Sequence, residues 1–237
     1  MSDKITRLDV LHEAAFSQPA FELVREAPSI LKRFYEALGT RFRVDTAYTT
    51  VNSTNTLHDL IIRIGLFNNV AAVELTPDRM TINFPNITNR NDVVLVKETL
   101  SLAHDGLAAA LPNTTLSTSK FTLNMWVAME GGAAATEAIL SKHAIPTKPL
   151  DVSKWGATSS RHGLRLTTSN DAEGWSLTIY GEPSLVPGSH LFLSFDFAVQ
   201  KASSKTIAEQ LVLAEQKLPQ IFEALGLNFP AETTNAQ

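Results

Sequence analysis

Alternating side chains between residues 116 and 129 constrain the fold more than any other feature of this sequence. One parity holds Phe121, Leu123, Met125, Val127 and Met129, and the other holds Thr122, Asn124, Trp126 and Ala128. Successive side chains of a strand point to opposite faces of its sheet, so the run predicts a long strand. One face of this strand should be buried and the other should be largely polar.

Further strands and helices follow from the same reasoning. Period-two segments predict strands around residues 8–16, 45–52, 59–67, 70–76, 79–84, 155–159, 162–168, 174–181 and 190–199. Helical spacing predicts helices opened by Pro28, by Asn91 or Asp92, by Gly131–Gly132 and by Ser203 or Ser204. Short turn-like connections at 67–69 and 76–78 favour antiparallel neighbours. We therefore predict an α+β fold, an antiparallel sheet with helices packed on one face.

Two spacings indicate an internal duplication of a strand–helix–strands–helix unit. The pattern of residues 80–84 resembles that of 191–195, and the pattern of 100–107 resembles that of 211–218, each at an offset of 111 (191 − 80 and 211 − 100). A third match, 62–64 with 164–166, has an offset of 102 (164 − 62), which longer hairpin loops in the second half would explain. The predicted halves are 1–112 and 113–230, followed by a frayed tail at 231–237.

The duplication predicts which side chains face the helices and which lie on the opposite face. The predicted inward positions are Ile62, Ile64, Met80, Ile82, Phe84, Phe121, Leu123, Met125, Leu164, Leu166, Trp175, Leu177, Ile179, Leu191, Leu193, Phe195 and Phe197. The predicted outward positions are Arg63, Thr81, Asn83, Thr122, Asn124, Trp126, Arg165, Thr178, Tyr180, Phe192, Ser194 and Asp196. A cluster of aromatic residues on a polar face often marks an interface, although loops could also cover it.

Composition excludes several classes of protein. The chain has no cysteine, which excludes disulfides, thiolate metal sites and a cysteine nucleophile. No apolar run approaches the roughly 18 residues of a membrane span, and the N-terminus lacks the apolar core of a secretory signal. The net charge of −4 argues against a nucleic-acid-binding domain. We expect a cytoplasmic protein without nucleic-acid or membrane partners.

Motifs for catalysis are missing from the sequence. None of the six histidines forms a zinc-protease pattern, and no nucleophile elbow is present. We therefore predict no catalytic residues, no metal site and no cofactor. Gly131 and Gly132 precede a helix and could expose backbone N–H groups to an anion, but a tight turn that needs the free φ of glycine is the favoured explanation.

Two segments place a turn directly before a predicted strand. Residues 75–84, Leu-Thr-Pro-Asp-Arg-Met-Thr-Ile-Asn-Phe, place a Pro-Asp turn before an apolar–polar strand. Residues 187–197 place Pro-Gly before the last strand, and an amphipathic helix closes the chain. By these patterns most of the chain resembles an uncharacterised bacterial protein family of sporadic distribution. The resemblance implies the fold and carries no activity.

Three functional hypotheses remain open from the sequence. The first is a binding or assembly module that uses the outward face for a protein partner or a second copy of the chain. The second is a small-ligand-binding protein or enzyme with a pocket at the junction of the halves, and the third is a chaperone-like or immunity protein. The candidate binding residues are Trp126, Phe192, Tyr180, Arg63, Arg165, Trp155, Arg161 and His162.

Overall fold

The structure, a computed structural model, describes residues 3–52, 59–87, 90–143, 163–200 and 206–227. Within these residues the chain is an α+β protein with one nine-stranded antiparallel sheet. The strands are β1 (Lys4–Phe16), β2 (Thr49–Asn52), β3 (Ile61–Leu66), β4 (Ala71–Thr76), β5 (Arg79–Ile87), β6 (Leu116–Ala128), β7 (Leu164–Asn170), β8 (Trp175–Pro183) and β9 (Leu191–Gln200). The helices are α1 (Glu22–Gly39), α2 (Arg90–Ala110), α3 (Gly132–His143) and α4 (Ile207–Leu225). The predicted fold class is thus confirmed.

The two predicted halves share this sheet because their first strands pair with each other. The strand order is β2-β3-β4-β5-β1-β6-β9-β8-β7, and β1 and β6 pair antiparallel over nearly their full length. The matched segments lie at corresponding distances from this central pair, since β5 flanks β1 and β9 flanks β6. An internal duplication stays a prediction.

The helices pack on one face of the sheet, and the inward side chains form a single core. Buried residues of β1, β5, β6 and β9 join buried residues of the helices, including Leu23, Phe34, Leu100 and Leu140. Most predicted inward positions are buried, with Leu123 and Trp175 partly so. Leu166 is the exception at 47% exposed, because it lies on the edge strand β7.

Helix boundaries differ from the prediction in ways that local chemistry explains. Pro28 lies inside α1, which begins at Glu22 and kinks at Glu26, where the backbone leaves helical geometry. A proline lacks the N–H that would bond four residues back, so the kink forms just before it. Thr206 caps α4 and forms a capping box with Glu209, in place of the predicted Ser203 or Ser204. None of the described helices combines the length and apolar character needed to cross a bilayer.

Helices α1 and α2 come close together where Phe34 meets Gly106. Phe34 is fully buried, and a Cβ atom placed on Gly106 would lie 3.1 Å from Cδ1 of the Phe34 ring. That distance is tighter than ordinary van der Waals contact, so a glycine at this position lets the phenylalanine ring lie against the α2 backbone.

We expect Gly106→Ala to lower the free energy of unfolding by about 1 kcal/mol, because crowding against the Phe34 ring outweighs the better helix propensity of alanine. In a Phe34→Leu background the same change should raise the free energy of unfolding by about 0.5–1 kcal/mol, because the obstructing ring is gone. Urea unfolding of the four proteins in this double-mutant cycle measures the coupling. Equal effects of Gly106→Ala in both backgrounds would contradict the proposed crowding.

Candidate functional site

The sheet face opposite the helices is left largely uncovered by the described residues, apart from the end of β3, where Tyr48 and Asn69 lie over Gly65. We call it the open face. It is formed by alternate residues of each strand, such as Arg7, Asp9 and Leu11 on β1 and Thr122, Asn124 and Trp126 on β6. These side chains are exposed or half-buried, whereas their neighbours of the opposite parity, such as Val10 and Val127, lie in the core.

An aromatic cluster occupies one part of the open face. Trp126 on β6 is directly opposite Phe192 on β9, and their ring centroids are 5.0 Å apart. Arg7 on β1 is opposite Trp126, and its guanidinium lies 4.5 Å from the centroid of the Trp126 ring. The strand register therefore assembles Arg7, Trp126 and Phe192 into one row across three adjacent strands.

A second pair of an arginine and an aromatic ring extends this cluster toward the sheet edge. Arg165 on β7 lies opposite Tyr180 on β8, with its guanidinium 5.3 Å from the ring centroid. Tyr180 is 38% exposed and lies diagonal to Phe192 in the adjoining strand. Arginine stacked on an exposed aromatic ring is held by attraction to the ring quadrupole and stays available for contact.

Hydrogen bonds fix the position of Arg7. Its Nε and Nη2 donate to the two carboxylate oxygens of Asp9, at 3.0 and 2.7 Å. The hydrogen bond and charge of Asp9 raise the pKa of Arg7 above its ordinary value. Asp9 also accepts a hydrogen bond from the backbone of Asn86, which has a left-handed φ of 57°. The Asp9 carboxylate that holds the Arg7 guanidinium is thus itself held by a hydrogen bond from β5.

Arg63 lies far from the aromatic cluster. On β3 it donates to Glu74 at 2.9 Å and to Asn69 at 2.7 Å. Four strand spacings separate β3 from β6, or roughly 19 Å. Arg63 and Arg165 lie near opposite edges of the open face, so the structure does not combine them in one pocket. Trp155, Arg161 and His162 lie outside the described residues.

Gly131 and Gly132 form the turn that leads into α3, with φ angles of 92° and 64°. Three backbone N–H groups here, those of Met129, Glu130 and Gly132, already have acceptors within the chain. Asp3 accepts from Glu130 N at 2.9 Å, and His190 Nδ1 accepts from Met129 N at 3.1 Å. A carboxylate of the protein itself therefore occupies this turn, and anion binding there stays a prediction.

A buried histidine pair was missed at the sequence level. His12 on β1 and His104 on α2 share a hydrogen bond of 2.8 Å between their Nε2 atoms, and His12 stacks on Phe121 at 4.6 Å. Burial, together with the neighbouring His104, lowers the pKa of His12 to about 3, and burial lowers the pKa of His104 to about 4. Both rings are therefore neutral at pH 7, and one of them donates to the other.

The alternation of side chains along β1 and the helical spacing along α2 could each have indicated that these histidines face the core. His12 shares the inward parity of Val10 and Ala14, and His104 lies on the same helical stripe as Leu100 and Leu107. His12 Nδ1 lacks a partner of good hydrogen-bond geometry, although the Lys120 backbone partly offsets the lowering of its pKa. Within the described ranges, no group of three metal-ligating side chains comes together.

An apolar cavity of about 190 Å³, open to solvent, lies between α2 and α4, where the two predicted halves meet. Its floor includes Val10 of β1 and Phe121 of β6, and its wall includes Leu100 and Leu218. It is on the helix side of the sheet, so it is separate from the open face. None of the predicted binding residues that the structure describes lines it.

Comparisons with known proteins give no family for this chain. No protein-family model and no curated protein matches it. Among solved structures, Methanococcus jannaschii TBP is similar at 9% identity and a TM-score of 0.26, over 95% of this chain and 99% of that chain. The PH1819 protein from Pyrococcus horikoshii OT3 is similar at 8% identity and a TM-score of 0.16, over 96% of this chain and 81% of that one. Similarity this low carries no argument about fold or function.

Proposed function

We propose that the protein is an assembly module whose open face binds a second copy of the chain. The observation that carries this proposal is the cluster of Trp126, Phe192, Tyr180, Arg7 and Arg165 on a sheet face that no described helix covers. Tryptophan, tyrosine and arginine are the residues most enriched among those that dominate binding energy at protein interfaces. The rigid rings of tryptophan and tyrosine lose little conformational entropy on binding.

The charge of the open face favours a protein over a nucleic acid. On the described strands its basic side chains are Lys4, Arg7, Arg63, Arg79, Lys120 and Arg165, and its acidic side chains, nearly equal in number, are Asp9, Glu13, Glu74, Glu182 and Asp196. A surface that binds phosphates needs an excess of basic residues. A balanced surface can face a rotated copy of itself without net repulsion, because acidic groups can oppose basic ones.

The size of the face also fits a pair of identical chains. The strands from β5 through β1, β6, β9 and β8 to β7 are adjacent, and β6 and β9 are at least ten residues long. With standard strand spacing and rise this patch measures roughly 25 by 30 Å. Stable interfaces bury about 800 Å² on each partner, which this patch can supply.

Light scattering coupled to size-exclusion chromatography tests the proposal. The wild type is expected to elute with the mass of a dimer, and the variant Trp126→Ser/Phe192→Ser with the mass of a monomer. Removing two anchors of this kind should weaken association by at least about 100-fold. Arg165→Glu provides a second variant, because Arg165 is exposed and its reversal of charge leaves the core untouched.

The matched control is Val24→Ser/Val212→Ser, which removes exposed apolar side chains from α1 and α4 on the other side of the molecule. This control should remain dimeric. Circular dichroism melts of each variant separate loss of association from loss of folding. A monomeric wild type, or a dimer that persists in both open-face variants, would contradict the proposal.

A further inference from the structure

The cavity between α2 and α4 has a lining made almost entirely of carbon. Side chains from both halves contribute, including Leu123 of β6, Leu100 of α2, and Ala214 and Leu218 of α4. An empty apolar cavity destabilises a fold in proportion to its volume. The lining offers water almost no hydrogen-bond partners, so an apolar molecule can enter without displacing well-bound water.

The two charged residues at the cavity, Lys97 and Glu215, form an ion pair with each other. Lys97 is on α2 and Glu215 on α4, and both side chains are nearly half exposed, so the pair bridges the two helices at the mouth. Because each charge already has its counter-charge, neither requires one from a ligand. A charged ligand would have to break this pair or leave its own charge unmatched against carbon.

We propose that this cavity binds an uncharged apolar molecule, or an uncharged apolar chain end, of roughly six to eight non-hydrogen atoms. An engineered apolar cavity of about 150 Å³ takes up benzene, which sets the scale for 190 Å³. The position fits as well, since binding sites for small molecules favour the junction between structural units. The site lies on the helix side of the sheet and does not depend on self-association through the open face.

Titration with n-hexanol, hexanoate and hexylammonium, followed by NMR of ¹³C-labelled leucine and valine methyl groups, tests this site. Hexanol is expected to shift the methyl signals of Leu100, Leu123 and Leu218 along a saturable curve. The two charged analogues should bind at least about ten-fold more weakly, because their charge meets a carbon lining.

Ala214→Leu fills the cavity and should abolish saturable hexanol binding, whereas Ala208→Leu, on the exposed face of the same helix, should leave it unchanged. Leu211→Ala enlarges the cavity and should shift the preference from hexanol toward octanol, which keeps the test open if Ala214→Leu fails to fold. An absence of saturable binding to the wild type, equal affinity for the three analogues, or binding that survives in folded Ala214→Leu would overturn the proposal.

A free molecule and the acyl chain of a lipid share this chemistry, and sedimentation with phosphatidylcholine vesicles distinguishes them. We expect the wild type to remain in the supernatant, which assigns the site to a free molecule. Sedimentation of the wild type but not of Ala214→Leu would assign it to a lipid chain. Equal sedimentation of the wild type and of Ala214→Leu would mean that the vesicles bind elsewhere on the protein. It would count against a lipid chain in this cavity.

Discussion

Acidification from pH 7 to pH 5 is expected to lower the free energy of unfolding of the wild type by about 3–4 kcal/mol more than that of a His12→Leu/His104→Leu variant. In the folded protein the pKa values of the two rings are about 3 and about 4. In the unfolded chain both return to about 6.5. At a pH between the folded and the unfolded pKa values, the unfolded state binds two protons that the folded state excludes. Acidification therefore favours unfolding.

The sign of this effect follows from the lowered pKa values. The contribution of the pair to stability is fully present above about pH 6.5 and is lost progressively as the pH falls toward the folded pKa values. Leucine removes the titrating group from both states and fits the apolar surroundings of each position, where Phe121 stacks on His12. The variant should therefore keep only the shallower pH dependence of the remaining groups.

Urea unfolding at pH 7, 6 and 5 measures the difference between the two proteins. The single variants His12→Leu and His104→Leu serve as controls, because each leaves one Nε2 atom without its histidine partner. Both single variants should be less stable at pH 7 than the double variant, since a buried polar group without a partner costs about 1–3 kcal/mol. Parallel pH profiles for the wild type and the double variant would rule out a linked pair.

Gly65→Ala is expected to lower the free energy of unfolding by about 3 kcal/mol. A Cβ atom on Gly65 would lie 2.7 Å from Tyr48 Cβ, 2.8 Å from Asn69 Oδ1 and 3.0 Å from the Tyr48 carbonyl oxygen. Two of these atoms are positioned by the Tyr48 backbone in a short 3-10 helix, so rotation of the tyrosine side chain cannot move them away. Pairing of β3 with both β2 and β4 prevents the glycine itself from moving.

Gly39→Ala is the matched control for this substitution. A Cβ atom on Gly39 would meet nothing within 4 Å, and the residue ends α1. Alanine there should be neutral or should stabilise the protein by up to about 1 kcal/mol, because it favours helix. Thermal or urea unfolding of both variants provides the comparison. Equal stability of Gly65→Ala and Gly39→Ala would show that the β3 backbone relaxes around the added methyl group.

The open face and the cavity would give the protein two separate binding surfaces on opposite sides of one sheet. Both surfaces form along the central strands β1 and β6, which carry Trp126 and Arg7 outward and Val10 and Phe121 inward. A change in the packing of α2 against α4 would thus act on the same two strands that support the open face. The tests described above vary the two surfaces independently, because their substitutions do not overlap.

The sequence alone determined which residues lie in strands and helices and which strand face is polar. Alternation along 116–129 placed Met125 in the core and Trp126 on the outer face, because the period of side chains in a strand is a local property of the backbone. Element ends were less well determined. The kink before Pro28 and the cap at Thr206 depend on competition between nearby residues, which a periodic pattern does not reveal.

Only the tertiary structure decided which distant residues meet. His12 and His104 are 92 positions apart, and Arg7 reaches Trp126 because β1 pairs with β6 in one particular register. The cavity between α2 and α4 depends on how two helices from different halves cross the central strands. Strand order, register and helix placement are set by burial summed over the whole core, and that sum is not encoded in any local segment of the sequence.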